Sequence, residues 1–142
     1  GDEVVYVERV TPNRMMRVEQ LIGSRAPLHV TAVGKLMLGE AGTQAIRDYA
    51  RRTRLPAYTA NTRSDMQALL EDVGVSTARG YALDDEEAEL GVGCIGALVR
   101  DAAGAAVAGL SVSAPMERRR AEWVALVQEA ARRISARLGY AG

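Results

Sequence analysis

Two apolar segments rich in small residues flank a single turn, and this arrangement constrains the fold more than any other feature of the chain. The turn is Asp101-Ala102-Ala103-Gly104, with Asp at its first position and Gly at its last, as type I turns favour. The flanking segments, 91–100 and 105–114, are made mainly of Val, Leu, Ile, Ala, Gly and Ser. The pattern predicts an antiparallel hairpin that Pro115 brings to an end.

The register of this hairpin decides which side chains share a face. A four-residue loop would place Arg100 opposite Ala105 and, further along, Cys94 opposite Ser111. One face then carries Cys94, Ser111 and Ser113, and the other supplies core residues, namely Ile95, Ala97, Val99, Ala108, Leu110 and Val112. Because hydroxyls in an apolar strand need hydrogen-bond partners or a wet cavity, the face with the serines is the candidate binding surface.

The rest of the chain alternates between strand and helix signals. An opening hairpin is predicted from 4–7 and 15–18, followed by a loop over 23–28. Helices are predicted from Thr31 to Gly39, from Thr43 to Tyr49, and from Ser64-Asp65 to Gly80. A final helix should bury Trp123, Val127, Ala130, Ile134 and Leu138. Strands with inserted helices indicate an α+β domain with an antiparallel sheet.

Composition narrows the class of protein. The chain has 142 residues, enough for one domain, with 18 acidic and 18 basic side chains. This balance gives no overall attraction to nucleic acid or to an anionic membrane, and Arg118-Arg119-Arg120 is interpreted as a solvated helix start. The single cysteine excludes an internal disulfide, and no apolar stretch is long enough to span a bilayer. A soluble, cytoplasmic protein is expected.

Two glycine motifs resemble phosphate sites but lack the required context. The segment 91–96 matches GxGxxG, yet a strand follows it where a dinucleotide site needs a helix, so its glycines are expected to allow a close approach to the sheet. Gly34-Lys35 fails as a phosphate loop, because the first glycine of that motif would fall at His29. A helix start near 31–34 still suits an anion such as a carboxylate.

Cys94 and His29 are the only cysteine and the only histidine, so a thiol hydrolase would need both, with Asp84 as the orienting group. Inert packing of the cysteine is the favoured alternative. One Cys and one His do not supply a metal site. The acidic run 84–87 precedes the Cys94 strand and is either a solvated turn or a pocket rim that accepts a hydrogen bond from a ligand hydroxyl.

Taken together, these segments resemble the C-terminal effector-binding domain of IclR-family transcriptional regulators from bacteria. The similarity covers almost the whole chain. Its motifs, in order, are 23–29 with 31–35, then 80–87, then Gly91 with Cys94-Ile95, then 110–115, and finally a closing helix over 134–140.

The resemblance implies a GAF-like or profilin-like domain over 1–142, with a central antiparallel sheet and helices packed on it. A ligand-sensing domain of this kind is expected to have no catalytic activity, and neither a cofactor nor a metal is expected. The expected ligand is a small organic acid, with keto, hydroxy and aromatic acids all remaining open. The residues that correspond to the ligand pocket are Ala32, Val33, Gly34, Asp84, Val92, Cys94, Ser111 and Ser113, with apolar wall from Met15, Met16, Leu36 and Met37.

The resemblance also implies partners. The family's winged helix-turn-helix domain, which would contact operator DNA, is not expected within these residues, and a homodimer or homotetramer is expected. Some members have Gly-Ala at the helix start where this chain has Ala32-Val33, so the bulkier valine is expected to reshape the pocket. Two alternatives stay open: a thiol-dependent enzyme that uses Cys94 and His29, and an oligomerisation module without a ligand.

Overall fold

An antiparallel three-stranded sheet organises the described part of the computed structural model, which comprises residues 1–10 and 23–142. The strands are β1 (Glu3–Val5), β2 (Arg25–Pro27), β3 (Ala82–Asp85), β4 (Val92–Arg100) and β5 (Ala106–Pro115). The helices are α1 (Ala32–Ala41), α2 (Thr43–Thr53), α3 (Met66–Arg79) and α4 (Trp123–Arg137). Two short 3-10 turns, Leu28–Val30 and Met116–Arg118, precede α1 and α4.

Side-chain caps fix the starts of two helices as the sequence predicts. Thr31 Oγ1 accepts a hydrogen bond from Gly34 N at 3.0 Å to begin α1, and Asp65 Oδ1 accepts one from Ala68 N at 2.9 Å to begin α3. Gly80 ends α3 in the left-handed conformation. The predicted stop of α1 at Gly39 is wrong: α1 continues to Ala41, and Gly39 instead allows close contact with α3.

The sheet has the order β3-β4-β5, with both pairs antiparallel. β1 pairs separately with β2, so the prediction of a loop over 23–28 is wrong for Arg25–Pro27. The proposed partner of the first strand, the stretch 15–18, lies outside the described residues.

The predicted hairpin is present, but its register differs by two residues. Asp101 N donates to Ala105 O across a three-residue loop that ends at left-handed Gly104, which shifts the pairing by one residue. An irregularity at Val99/Arg100 leaves Val107 unpaired and shifts the pairing by one more. Cys94 therefore opposes Ser113 rather than Ser111. Because side chains alternate with period two, the combined shift preserves the predicted faces.

The two faces of the sheet pack against different helices. The first face meets α1 in a cluster of Ala32, Leu36, Ala82 and Cys94. The second meets α4 in a cluster of Ile95, Ala97, Val99, Val127 and Ala131. A third cluster joins α1, α2 and α3 around Tyr49 and Leu69. The fold is therefore the expected α+β arrangement, with the serine-bearing face turned toward α1.

Helix α4 lies rotated from its predicted orientation. Its buried residues are Val127, Ala131 and Ser135, at four-residue spacing. Ala130 is only partly buried, and Ile134 and Leu138 are exposed. The prediction that all three would be buried is wrong, because the Ser135 hydroxyl turns toward the sheet, where Oγ accepts a hydrogen bond from Arg100 N at 2.9 Å.

Candidate ligand site

A polar row of Asp84, Cys94 and Ser113 crosses β3, β4 and β5 on the face beneath α1. The three residues are directly opposed across the strands. Cys94 Sγ and Ser113 Oγ are 3.1 Å apart, and the interaction between Cys94 and Asp84 affects the pKa of both groups. In the adjacent register, Gly96 opposes Ser111. The prediction that Cys94, Ser111 and Ser113 share a face is confirmed, and Asp84 joins them on the neighbouring strand.

The start of α1 lies directly on this face because two strand positions lack a side chain. A Cβ atom on Gly96 would lie 2.9 Å from Ala32 Cβ, and one on Gly109 would lie 2.3 Å from Val33 Cγ1. Both distances are shorter than a van der Waals contact. The strand glycines therefore allow the helix to approach closely, as expected from the sequence.

Gly34, unlike the other predicted ligand residues, does not face the sheet. A Cβ atom at this position would lie 2.4 Å from Leu28 O, on the side of the preceding turn rather than the sheet. Its N–H group is used by the Thr31 cap. Val92 is partly buried and packs with the cluster of Ala32 and Cys94. The structure thus brings together every predicted ligand residue of this face, with Gly34 serving the helix turn behind it.

Asp84 is a buried carboxyl whose ionised form is poorly stabilised. Its side chain is almost fully enclosed, and desolvation raises its pKa from 3.8 to about 6, with a further contribution from the negative charge of Glu87. Glu87 N donates to Asp84 Oδ1 at 2.8 Å, and the charge of Lys35 also favours ionisation. Asp84 therefore titrates close to neutral pH, either accepting or donating a hydrogen bond.

Lys35, one residue beyond the helix start, anchors the acidic loop. Its fully buried ammonium contacts Asp72 Oδ2 and Glu87 Oε1, each at 2.8 Å, and donates to Leu83 O. Burial opposes ionisation of Asp72, yet Lys35 and Arg63 together hold its pKa below the usual value. Because Leu83 and Glu87 flank Asp84 in the sequence, this cluster fixes the position of the polar row relative to α1.

Two residues near the row were missed in the sequence. Burial raises the pKa of Tyr6, and electrostatic interactions with Cys94 and Asp84 raise it further. Arg119 Nη1 donates to Asp84 O at 3.0 Å, and its guanidinium is ion-paired with Asp85. The interpretation of Arg119 as a solvated residue is wrong, because its side chain is only 15% exposed. Neither contact has a local sequence signal, since each joins segments remote in the chain.

Cys94 and His29 do not form a catalytic pair. His29 Nδ1 lies 2.8 Å from Tyr49 Oη and Nε2 lies 2.9 Å from Pro56 O, so both ring nitrogens are engaged. The carbonyl of Pro56 requires a proton on Nε2, and Nδ1 therefore accepts from Tyr49. Burial, followed by the charge of Asp84, raises the pKa of the Cys94 thiol to about 12, the reverse of what a nucleophilic thiolate requires.

Two concavities lie apart from Asp84, Cys94 and Ser113, none of which lines either of them. A cleft of about 350 Å³ between α1, α3 and α4 includes Glu40, Arg100 and Arg132, and Arg100 is already paired with Glu40. An apolar groove of about 320 Å³ runs between β5 and α4. Among the described helices, none is both long and apolar enough to cross a membrane.

Comparisons with known proteins identify the family. The profile described as "Bacterial transcriptional regulator IclR C-terminal" matches residues 1–136. HTH-type transcriptional regulator KdgR of Escherichia coli K12 is 35% identical over 98% of this chain and 54% of its own length. The chain thus spans about half the length of this curated relative.

Two solved structures have the same fold. The C-terminal domain of E. coli KdgR superimposes with a TM-score of 0.80 at 34% identity, covering 98% of this chain and 82% of that one. The inducer-binding domain of PobR from Acinetobacter, a double mutant solved with 3-hydroxybenzoic acid, gives a TM-score of 0.78 at 26% identity, covering 87% and 75%. The chain belongs to the IclR family of bacterial transcriptional regulators and corresponds to their C-terminal domain.

Proposed function

We propose that this domain senses a small organic acid that binds between the start of α1 and the polar row of Asp84, Cys94 and Ser113. The bound acid would alter operator binding through a helix-turn-helix domain outside these residues. The observation that carries the proposal is a buried carboxyl and two strand hydroxyls gathered on one face, opposite a helix start that packs on this face through apolar contacts.

The two ends of the site suit different ligand groups. Because the Thr31 cap uses Gly34 N–H, the backbone donors of α1 assigned to a carboxylate are those of Ala32 and Val33, assisted by the serine hydroxyls. Asp84 accepts a hydrogen bond from a ligand hydroxyl when ionised and donates to a carbonyl when protonated. This arrangement favours keto and hydroxy acids. The PobR domain, a relative of the same fold, was solved with 3-hydroxybenzoic acid, an aromatic acid that carries a hydroxyl, which supports a ligand with both a carboxylate and a hydroxyl.

A sensing role without catalysis agrees with the chemistry of the site. The thiol is buried and its pKa is raised, while the histidine belongs to a separate cluster with Tyr49. The curated relatives are transcriptional regulators. Neither a cofactor nor a metal is part of the proposal, and a homo-oligomer is proposed as the functional assembly.

The proposal is tested by a thermal-shift screen against keto, hydroxy and aromatic carboxylic acids, followed by calorimetric titration of any that stabilise the domain. An acid at about 100 times its dissociation constant should add roughly 2.7 kcal/mol to the free energy of unfolding. The Ser111→Ala/Ser113→Ala variant should lose this stabilisation.

Ser64→Ala, at an exposed position before α3, is the matched control and should retain the stabilisation. If no acid stabilises the domain, the sensor proposal is wrong and the alternative of a ligand-free oligomerisation module is favoured. If the double variant binds as tightly as the original chain, the carboxylate has been assigned to the wrong residues.

A further inference from the structure

The outer face of α4 carries an apolar stripe that the core of the domain does not use. Leu126, Ala130 and Ile134 recur at four-residue spacing, and Leu126 and Ile134 are 66% and 41% exposed. The core contacts of this helix are made instead by Val127 and Ala131. Packing among residues 1–10 and 23–142 therefore does not explain the stripe.

The stripe continues into a groove between α4 and β5. Six residues line this groove of about 320 Å³, and all are apolar: Leu110, Val112, Trp123, Leu126, Val127 and Ala130. Single apolar residues on a surface are ordinary, but a contiguous apolar strip beside a groove is typical of a protein interface. We name this surface, with Ile134, the α4–β5 face.

Charges along α4 indicate what covers this face. Glu122 precedes the helix, Arg133 and Arg137 lie in its second half, and all three are exposed. Helical spacing places Glu122 and Arg137 on the same side as the stripe. Glu122 at the start of α4 and Arg137 at its end also complement the helix dipole. The dipole explains the signs of these two charges but not the apolar residues between them.

A second copy of this helix in antiparallel orientation complements the pattern. With a two-fold axis at Ala130, Leu126 packs against the partner's Ile134, and Glu122 meets the partner's Arg137. The small side chain at the crossing point lets the two helices approach closely. A parallel pairing would place like charges opposite each other, so charge complementarity selects the antiparallel arrangement.

We propose that the α4–β5 face is an isologous dimer interface between two copies of this chain, formed by antiparallel packing of α4 and centred on Ala130. The face lies on the side of the sheet opposite the polar row, because strand residues alternate between α1 and α4. The proposal does not depend on ligand binding and can fail independently of it.

Sedimentation equilibrium or light scattering on the 142-residue chain tests the interface. The original chain should be a dimer or a higher assembly built from it, and Leu126→Glu should raise the dissociation constant of this contact at least about 100-fold. Val75→Glu, at a similarly exposed position on α3, is the control and should leave assembly unchanged. Leu126→Glu should still bind the acid that stabilises the original chain, because the polar row is untouched.

Reversing the charge of Glu122 or of Arg137 tests the antiparallel register, and both positions are exposed. Glu122→Arg and Arg137→Glu should each weaken self-association about 10-fold, since each places like charges in both symmetric contacts. Mixing the two variants should restore association, because both contacts in the heterodimer are then complementary.

A monomeric original chain, or a folded Leu126→Glu variant that assembles normally, would overturn the interface. Failure of the mixture to associate better than either variant alone would overturn the antiparallel register. Circular dichroism of each variant establishes that it is folded.

Discussion

Asp84 is the residue whose burial is hardest to explain by stability alone. Its carboxyl is 3% exposed, it has no cation within direct hydrogen-bonding reach among the described contacts, and its pKa is raised mainly by desolvation. An apolar or amide residue at this position would avoid that cost. Retaining a buried carboxyl beside Cys94 and Ser113 is typical of a site that recognises a polar ligand.

Asp84→Asn should therefore stabilise the ligand-free domain at pH 8, by on the order of 1–3 kcal/mol. The folded pKa of about 6 lies above the ordinary value of 3.8, so the aspartate contributes most stability below pH 3.8 and loses it as the pH rises through 6. The gain from the substitution should shrink between pH 6 and 4. Urea denaturation at pH 4, 6 and 8 measures it.

Asp48→Asn, at a solvent-exposed position on α2, provides the comparison and should show no gain of this kind. If Asp84→Asn changed stability equally at all three pH values, the carboxyl would not be titrating as burial requires.

Cys94 should react slowly with alkylating reagents. A thiol whose pKa is about 12 is almost entirely protonated at pH 8, and only 8% of the residue is exposed. Iodoacetamide should label the native chain at least about 100-fold more slowly than the chain in denaturant. Labelling at equal rates would revive the thiol-enzyme alternative, and mass spectrometry distinguishes the two results.

At the scale of single residues, strand alternation predicts the ligand face well. Ser111 and Ser113 share a face because they are two residues apart on one strand. Cys94 remains on the same face because the observed register differs from the predicted one by an even number of residues. The hydrogen bond of Arg119 and the electrostatic influence of this region on Tyr6 could not be predicted, because both depend on how distant segments fold back.

At the scale of elements, the approach of α1 to the sheet sets the geometry of the site. The approach depends on Gly96 and Gly109, and a side chain at either position would collide with the first turn of the helix. The GxGxxG match thus reflects helix–sheet packing rather than phosphate binding. The secondary structure of the motif distinguishes helix–sheet packing from phosphate binding, because a strand and not a helix begins at Val92.

Gly109→Ala should destabilise the domain by about 1–3 kcal/mol, because its Cβ would lie 2.3 Å from Val33 Cγ1. Val33→Ala in the same chain should recover part of this loss by removing the opposing methyl groups. Chemical denaturation of the single and double variants measures the coupling.

Gly74→Ala in α3 is the control: an added Cβ meets nothing within 4 Å there and should stabilise the helix by up to about 1 kcal/mol. Purely additive effects of Gly109→Ala and Val33→Ala would show that the two positions do not collide.

The buried ion cluster is the second link between elements. Lys35→Met should cost about 3–5 kcal/mol, because it leaves Glu87 without its ammonium partner in a site closed to water. Lys35→Met combined with Glu87→Gln should lose less than the sum of the two single substitutions. A double-mutant cycle from urea denaturation gives the coupling energy, and a value near zero would mean that the pair does not fix the acidic loop to α1.

The hairpin shows how far element-level prediction extends. The turn chemistry at Asp101-Ala102-Ala103-Gly104 locates the reversal correctly, but whether Gly104 closes a three-residue loop depends on strand twist and on the irregularity beside Val99. Helix caps are encoded locally and were predicted at Thr31 and Asp65. The orientation of α4 cannot be predicted in this way, because Ser135 is buried through a contact with β4, which is remote in the sequence.

At the scale of the whole molecule, the sheet separates two surfaces of different chemistry. The face toward α1 combines apolar contacts with the polar row, whereas the face toward α4 is apolar and continues to an exposed groove. The order of strands and helices predicted the α+β class, but which face each helix covers is a property of tertiary packing. Ligand recognition on one side and assembly on the other can therefore be tested separately.

Binding of an organic acid against the polar row is tested most directly by an amide NMR titration of the 142-residue chain with an acid that raises its melting temperature. The largest shift changes are expected at the start of α1 and along the facing strands, at Ala32, Val33, Cys94, Ser111 and Ser113. Changes confined to the cleft of Glu40, Arg100 and Arg132, with the polar row unaffected, would contradict the assignment of the ligand site.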